Sequence, residues 1–373
     1  MNKNLIALAL IATLAGCNSE QSNSVETDTN VAVAETGSVM TLDKFFTDNG
    51  EVVTKASFPT AETSHQMLKN QDLAGINTFL HKRYLAPTDN QPVVRMNRDT
   101  YYSFAVVDVS KGATITLPEL PEGKFISVQP VTEDHRIQEM QYGAGTYELS
   151  THNGSHLYLV VRLDSSFSTE EATKYQDQIT LTANSSNKFT AKPVNKASFV
   201  EVENTLKAQL PVLAKRDGAD MGKGMFTDSR DGSNELFTQE KYEIGAAAGW
   251  GGAQLKDVIY ESSPNFPNDA CYQATFEDPK NNAFWSFTVY NKAGFMFNDV
   301  ANINSYTAQV NKDGTYTVSF GCGSDAPNNV ETANDTGVFN LAVRHYQPSD
   351  RVSKEGYRLL PQLKARTSRY QVE

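Results

Sequence analysis

The spacing of apolar residues along this chain changes character several times, and each change predicts an element. Leu5 to Leu14 is an almost unbroken apolar run. Leu73, Ile76, Leu80 and Tyr84 recur at three- and four-residue steps, the spacing of one helix face, so a helix is expected over 60–85, with Pro87 as its stop. The period then falls to two. Alternation predicts strands at 93–96, 101–109, 114–117, 124–131, 136–141, 146–151 and 156–163, separated by Gly, Pro, Asn and Asp. Many short strands at close spacing suggest a sandwich. Asn153-Gly154 carries the signal of a type I′ turn and should join 147–151 to 156–161 as a hairpin.

Helical signals return after 165. Ser168 with Glu171 reads as a capping box opening a helix to about Gln178, and Ser198 with Glu201 repeats it. The second helix would carry Phe199, Val202, Leu206 and Leu213 inward, with Pro211 kinking it late. Residues 184–250 therefore read as a helical connector. Beyond it, strands are expected at 258–261, 271–276, 284–290, 305–310, 315–320 and 338–346, with Asp313-Gly314 as a second hairpin turn. The expected fold is mainly β: two antiparallel β-sandwiches, 41–183 and 251–373, joined by the connector 184–250, with a short helical N-terminal segment.

The N-terminus supplies an address. Lys3 followed by ten or so apolar residues suits a signal peptide and is too short for a bilayer, which needs about 20 apolar residues. Leu14-Ala15-Gly16-Cys17 resembles the lipobox of bacterial lipoproteins. Residues 1–16 are then a removable signal, and Cys17 is a lipidation site. Two or more acyl chains make such an anchor durable. Asn18 rather than Asp follows, which in that class favours the periplasmic face of the outer membrane. The segment 17–40 has no periodicity and reads as a tether of roughly 25 Å average reach.

Charge narrows the partners. The 373 residues carry 33 Lys and Arg against 44 Asp and Glu, a formal net charge of −11. No basic run occurs, which argues against nucleic acid. Anionic head groups would repel this surface, so contact with a membrane must come through the lipid. Cys271 and Cys322 remain after Cys17. An oxidising compartment makes them a possible disulfide closing a loop of about 51 residues, with two separate buried thiols as the other reading.

Two longer stretches carry a family resemblance. Asn97-Arg98-Asp99-Thr100-Tyr101-Tyr102-Ser103, followed by Gly123-Lys124-Phe125-Ile126-Ser127, resembles the N-terminal module of a bacterial family. Phe284-Trp285-Ser286-Phe287-Thr288-Val289-Tyr290, with Val343-Arg344-His345-Tyr346-Gln347-Pro348, resembles its C-terminal module. These are the tandem domains of unknown function 1254 and 1214. The resemblance implies two jelly-roll-like sandwiches with helices alongside, and no settled activity. The chain departs from the pattern at Lys82-Arg83-Tyr84-Leu85, where the family has Tyr-x-Trp.

Candidate chemistry is sparse. Arg98 and Asp99 at a strand entrance could bind a ligand or hold backbone. His135, between Asp134 and Arg136, offers an imidazole, but adjacent strand residues point to opposite faces, so Asp134 should not orient it. His152 and His156 flank the expected turn on opposite faces, so shared metal ligation is not expected. Asp217, Asp220, Asp228, Asp231 and Glu235 lie in a Gly-rich loop that misses the EF-hand spacing and reads as solvated. Along 284–290, Trp285, Phe287 and Val289 look like core, while Phe284, Ser286, Thr288 and Tyr290 share the other face. There is no Gly-x-Ser-x-Gly, Walker loop, His-Glu-x-x-His or Cys-x-x-Cys. No metal and no cofactor are expected. The favoured reading is a binding lipoprotein holding a small molecule, a glycan or an envelope partner between the sandwiches. The alternative is a periplasmic hydrolase using Asp99, Asp134 or Glu139 as acids, with Arg98, Arg162 or His345 holding an anion.

Overall fold

The computed structural model describes residues 40–89, 91 and 94–366. Cys17, the signal segment and nearly all of the expected tether lie outside them, as does Val93 of the strand expected at 93–96; residues 94 and 95 form a turn.

The chain is mainly β. α1 (Leu42–Phe45), β1 (Phe46–Thr47) and α2 (Phe58–Ala74) come first. The first sandwich follows with β2 (Leu80–His81), β3 (Thr100–Asp108), β4 (Ala113–Leu117), β5 (Ile126–Thr132) and β6 (Gln141–Tyr142). It continues through β7 (Gly145–Leu149), β8 (His156–Asp164), α3 (Thr169–Gln176) and β9 (Thr180–Ala183). The connector holds β10 (Val194–Asn195), α4 (Lys196–Asp217) and α5 (Gln239–Gly249). The second sandwich runs from β11 (Val258–Ser262) through β12 (Phe266–Pro267), β13 (Cys271–Glu277), β14 (Trp285–Asn291) and β15 (Asn302–Asn304). β16 (Thr315–Phe320), β17 (Asn329–Val330), β18 (Val338–Tyr346), α6 (Asp350–Ser353) and β19 (Leu363–Arg366) complete it.

In the first sandwich a sheet ordered β2-β3-β8-β5-β6 packs on β7-β4-β9. In the second, β11-β18-β14-β15, with β12 added to β18, packs on β17-β16-β13-β19. Between the first pair lie Ala105, Val107, Ile115, Leu159 and Val161; between the second, Phe276, Trp285, Phe287, Phe320 and Leu341. Cys271 and Cys322 form a disulfide across the end of the smaller second sheet.

Several local expectations yield to tertiary packing. The first helix ends at Ala74, not at 85, because Gly75 takes φ +87° and donates its N–H to Gln71. Leu73 is exposed, Ile76 bridges Val106, and Leu80 lies in β2. The true buried face of α2 includes Glu62, Thr63, Ser64, Asn70 and Gln71, polar residues that hide it from an apolar-period reading. Asn153-Gly154 does not form the expected hairpin. β7 pairs with β4 while β8 pairs with β3 and β5, so the turn crosses between layers. The Glu133 carboxylate accepts the N–H groups of Ser155 and His156 and steers that crossing. Asp313-Gly314 does turn the chain, with Asn311 N–H donating to Thr315 O at 2.7 Å, but 305–310 is not a strand. The Asn304 side chain accepts from Tyr306 and Thr307 N–H and ends β15 there.

The Ser168–Glu171 capping box is present as expected. The second box is not. Asn195 caps α4, and Ser198 instead receives the Val53 N–H. Phe199, Leu206 and Leu213 are buried as their spacing requires, and Pro211 sits inside the helix.

Candidate functional site

The long central strands β3, β8, β14 and β18 are buried on both faces. One face of each fills its own sandwich. The opposite face of β3-β8-β5 carries Val106, Tyr158 and Val160 under α2, α4 and α5. Nearer one end it turns polar, with Tyr102, Arg162 and Ser127 in one cross-strand row and Phe104, Val160 and Gln129 in the next. The outer face of β14-β18-β11 presents Ser286, Arg344 and Tyr260 in one row, flanked by Thr288, Tyr290 and Tyr346. These faces meet. Phe125 packs on Phe284 and Tyr346 at ring separations of 5.6 and 6.1 Å, Tyr142 OH donates to Asp257 at 2.8 Å, and Asn304 Nδ2 donates to Ser165 Oγ at 3.1 Å.

Within this seam one group is saturated. Asp99, fully buried, accepts from Ser286 Oγ at 2.7 Å, Tyr346 OH at 3.1 Å and Asn302 Nδ2 at 3.2 Å. Arg344 lies 3.7 Å from it and donates to Thr288 Oγ1, Tyr290 OH and Arg95 O at 2.8, 2.8 and 3.0 Å. With three donors on its two oxygens and Arg344 beside it, the pair fastens the 95–99 loop of the first module to the second sheet. Arg98 donates to Ala86 O at 2.6 Å and lies 3.5 Å from Asp299, at the edge of the same loop.

Arg162 differs. It is 6% exposed, donates to Gln129 Oε1 at 3.1 Å and Gly251 O at 3.4 Å, and stands over the Tyr102 ring at 5.9 Å. Among the described residues no carboxylate lies within 4 Å of it. Asp257, 4% exposed, is held by Tyr142, and burial pushes its pKa up to about 6.

The remaining predicted residues are dispersed. Asp134 and His135 lie in a turn after β5, not in a strand. His135 takes φ +58°, is 1% exposed, and accepts the Gly251 N–H at 3.1 Å. Burial, and then the neighbouring Arg136, pushes its pKa down to about 3, so it is neutral and its Nε2 is free to accept. Asp134 lies 3.5 Å from His152, a pairing that strand alternation could not anticipate. His156 bonds Asn187 O instead, so the two histidines do not converge. His345 faces the interior of the second sandwich. It bonds Glu261 at 2.8 Å, and Glu261 also accepts the N–H groups of Leu359 and Leu360. Phe284, Ser286, Thr288 and Tyr290 are buried under the first module.

Glu139, with Asp228 and Asp231 of the Gly-rich loop, borders an open cleft. Between the edge of the first sandwich and the connector lies a space of about 380 Å³, lined by Gln138, Glu139, Gln141, Tyr147, Glu148, Asp228, Arg230 and Asp231 among others. A second space of about 310 Å³, lined by Phe226, Asp231, Gln254 and Lys256, shares Asp231 with it. Lys256 bridges Glu139 and Asp231 at 3.0 and 3.3 Å. Among the described residues no group of three or more His, Cys, Asp or Glu is placed to hold a metal ion. None of their helices is long and apolar enough to cross a membrane.

Sequence reasoning passed over Arg344, Tyr260, Tyr346, Gln129 and Asp257. A usable signal was present. His156-Leu-Tyr-Leu-Val-Val-Arg-Leu-Asp164 and Phe284-Trp-Ser-Phe-Thr-Val-Tyr290 are apolar or aromatic at both parities, as strands covered on both sides are. An Arg or Ser inside such a strand belongs to a buried seam.

Two β-sandwiches whose larger sheets face one another across a polar seam, with a helical connector alongside, define a tandem-sandwich protein. The chain belongs to the family that joins the domain described as "Protein of unknown function (DUF1254)", matched over 76–186, to that described as "Protein of unknown function (DUF1214)", matched over 262–350. The VPA0106 protein of Vibrio parahaemolyticus has a similar fold, with 16% identity and a TM-score of 0.59 over 84% of this chain and 98% of that one. A protein from Burkholderia cenocepacia aligns at 12% identity and a TM-score of 0.47, covering 84% of this chain and 86% of that one. No curated protein matches the chain.

Proposed function

We propose that this chain is a lipid-anchored protein of the cell envelope that binds a small hydroxyl-rich molecule or a glycan in the cleft beside the connector. The observation that carries the binding reading is the composition of that cleft: an open space of about 380 Å³ lined by amide, carboxylate and guanidinium side chains together with Tyr147. Planar groups of this kind offer paired donors and acceptors that match neighbouring hydroxyls, and an aromatic ring offers a stacking face. A cleft of 300–1,000 Å³ suits a small ligand. Glu139, Glu148, Asp228 and Asp231 outnumber Arg230 on its walls, which disfavours anionic ligands. The lipid anchor rests on the Leu14-Ala15-Gly16-Cys17 motif alone.

Hydrolysis has weaker support. Its acids and anion holders do not share a pocket: Asp99 is saturated, His345 faces another core, and Glu139 is paired with Lys256. Two experiments test the proposal. Labelling cells with a fatty-acid analogue should tag the wild-type chain and not Cys17→Ser; an untagged wild type overturns the anchor. Calorimetry against a panel of envelope glycans and polyols should find a ligand whose affinity falls at least tenfold in Glu139→Ala/Glu148→Ala at unchanged Tm. A panel without any binder, or a binder indifferent to that variant, overturns the cleft.

A further inference from the structure

We propose a second site, separate from the cleft: Arg162 receives the carboxylate of a small organic acid, and the glycine strap at 249–252 is the plug that the acid displaces. A guanidinium this deeply buried ordinarily has a carboxylate against it, because an uncompensated interior charge is costly. Arg344, on the facing sheet, follows that rule with Asp99. Arg162 does not. Its acceptors are two neutral oxygens, an amide and a peptide carbonyl, the latter at a long 3.4 Å. Two of its five N–H groups are thereby used.

The next strand holds an unspent partner. Ser127 is paired in register with Arg162, so their side chains share a face and lie within contact range. Its hydroxyl is fully buried and bonds nothing. Unsatisfied buried hydroxyls are rare because each costs free energy. An Arg and a free Ser on one row form a ready-made oxyanion cradle. The Tyr102 ring, 5.9 Å from the guanidinium, would pack on the body of the acid. A planar carboxylate matches the guanidinium fork.

The strap occupies the place the acid would take. Gly251 O caps both Arg162 and Gln129, and Gly252 O receives a second bond from Gln129 at 3.3 Å. Gly251 has φ +71° and open space where a side chain would stand, so the strap is free of side-chain packing at that one position. It is held by the N–H of Gly251 on His135, the carbonyl bonds just given, the Gly252 N–H on Gly249 O at 3.0 Å, Trp250 Nε1 on Thr63 at 3.0 Å with its ring 4.9 Å from that of Tyr158, and the Phe226 ring against Gly252, and an acid must outcompete these contacts. The indole next to the strap makes displacement visible.

The test uses the folded mature chain and Trp250 fluorescence, with benzoate, its neutral isostere benzamide and inorganic phosphate as probes. Benzoate should bind saturably and shift the emission, with benzamide and phosphate at least 30-fold weaker. Arg162→Gln should abolish the benzoate response while keeping the Tm, since it removes a buried charge that has no carboxylate in contact and retains a donor to Gln129. Glu139→Ala, in the cleft, should leave benzoate binding unchanged, which separates this site from the cleft proposed above. Equal binding of benzoate and benzamide, stronger binding of phosphate, or absence of any benzoate response in the wild type overturns the site. So does an Arg162→Gln variant that binds normally, or one whose Tm falls by many degrees, which would make Arg162 structural.

Discussion

Asp99→Asn is the sharpest test of how the two modules are held together. The substitution preserves volume and removes one charge from a fully buried pair. Arg344 would then lack a counter-ion while still locked by Thr288, Tyr290 and Arg95. The new amide also presents donors where Ser286, Tyr346 and Asn302 now donate, so at least one of those bonds is lost. Breaking one partner of a buried ion pair costs about 3–5 kcal/mol. With an unfolding entropy of about 2 cal/mol/K per residue over about 330 ordered residues, that is a fall in Tm of roughly 4–7 °C. Urea unfolding followed by fluorescence reads it, since Trp250 sits in the connector and Trp285 in the second core. The double variant Asp99→Asn/Arg344→Met should regain part of the loss, because it also removes the buried guanidinium that the single variant leaves without a counter-ion. A loss below about 1 kcal/mol in the single variant, or no recovery in the double, would refute the view that this pair fastens the modules.

Further predictions concern charge and covalent closure. Asp257 has its pKa raised from 3.8 to about 6 by burial, so folding is penalised once the carboxylate ionises: the penalty is absent below pH 4, grows between 4 and 6, and is full above 6. Asp257→Asn should therefore match the wild type at pH 4 and exceed it by about 3 kcal/mol at pH 7.5 in urea titrations; a variant less stable at pH 7.5 contradicts this. His135 acts in the opposite sense. With its pKa lowered from 6.5 to about 3, its contribution is intact above 6.5 and is lost as pH falls toward 3, so His135→Gln should flatten the acid limb of the stability curve. Reducing Cys271–Cys322, which closes a separation of 51 residues, should lower stability by about 4 kcal/mol, measured as Tm with and without dithiothreitol.

The parts of the candidate sites visible in the linear chain were those with strong local chemistry. Glu139 and Arg162 could be named as charged residues, but their partners could not. Gly251 and Gln129 meet at Arg162 from positions 122 residues apart, and Asp231 reaches the cleft from the connector. Asp99 and Arg98 are neighbours in the chain with different fates, one wedged between sheets and one on a loop edge. His345 looked like a ligand because histidine is versatile, and strand parity, together with Glu261, turns it inward.

By itself the sequence determined the two-body plan, the helical connector, the long strands and the cap at Ser168, because these follow from residue periodicity and from hydrogen bonds spanning three or four positions. Tertiary structure alone decided that Asn153-Gly154 crosses between sheets and which charges are paired, whereas the stop of α2 at Gly75 is a local glycine cap on Gln71 O. The reason is one of scale. A turn or a helix extension is worth at most about 1 kcal/mol per residue, whereas placing Val161 and Leu159 in one layer and Leu149 in the other buries whole side chains at about 1.5–3 kcal/mol each. Where the two disagree, the core sets the path of the chain.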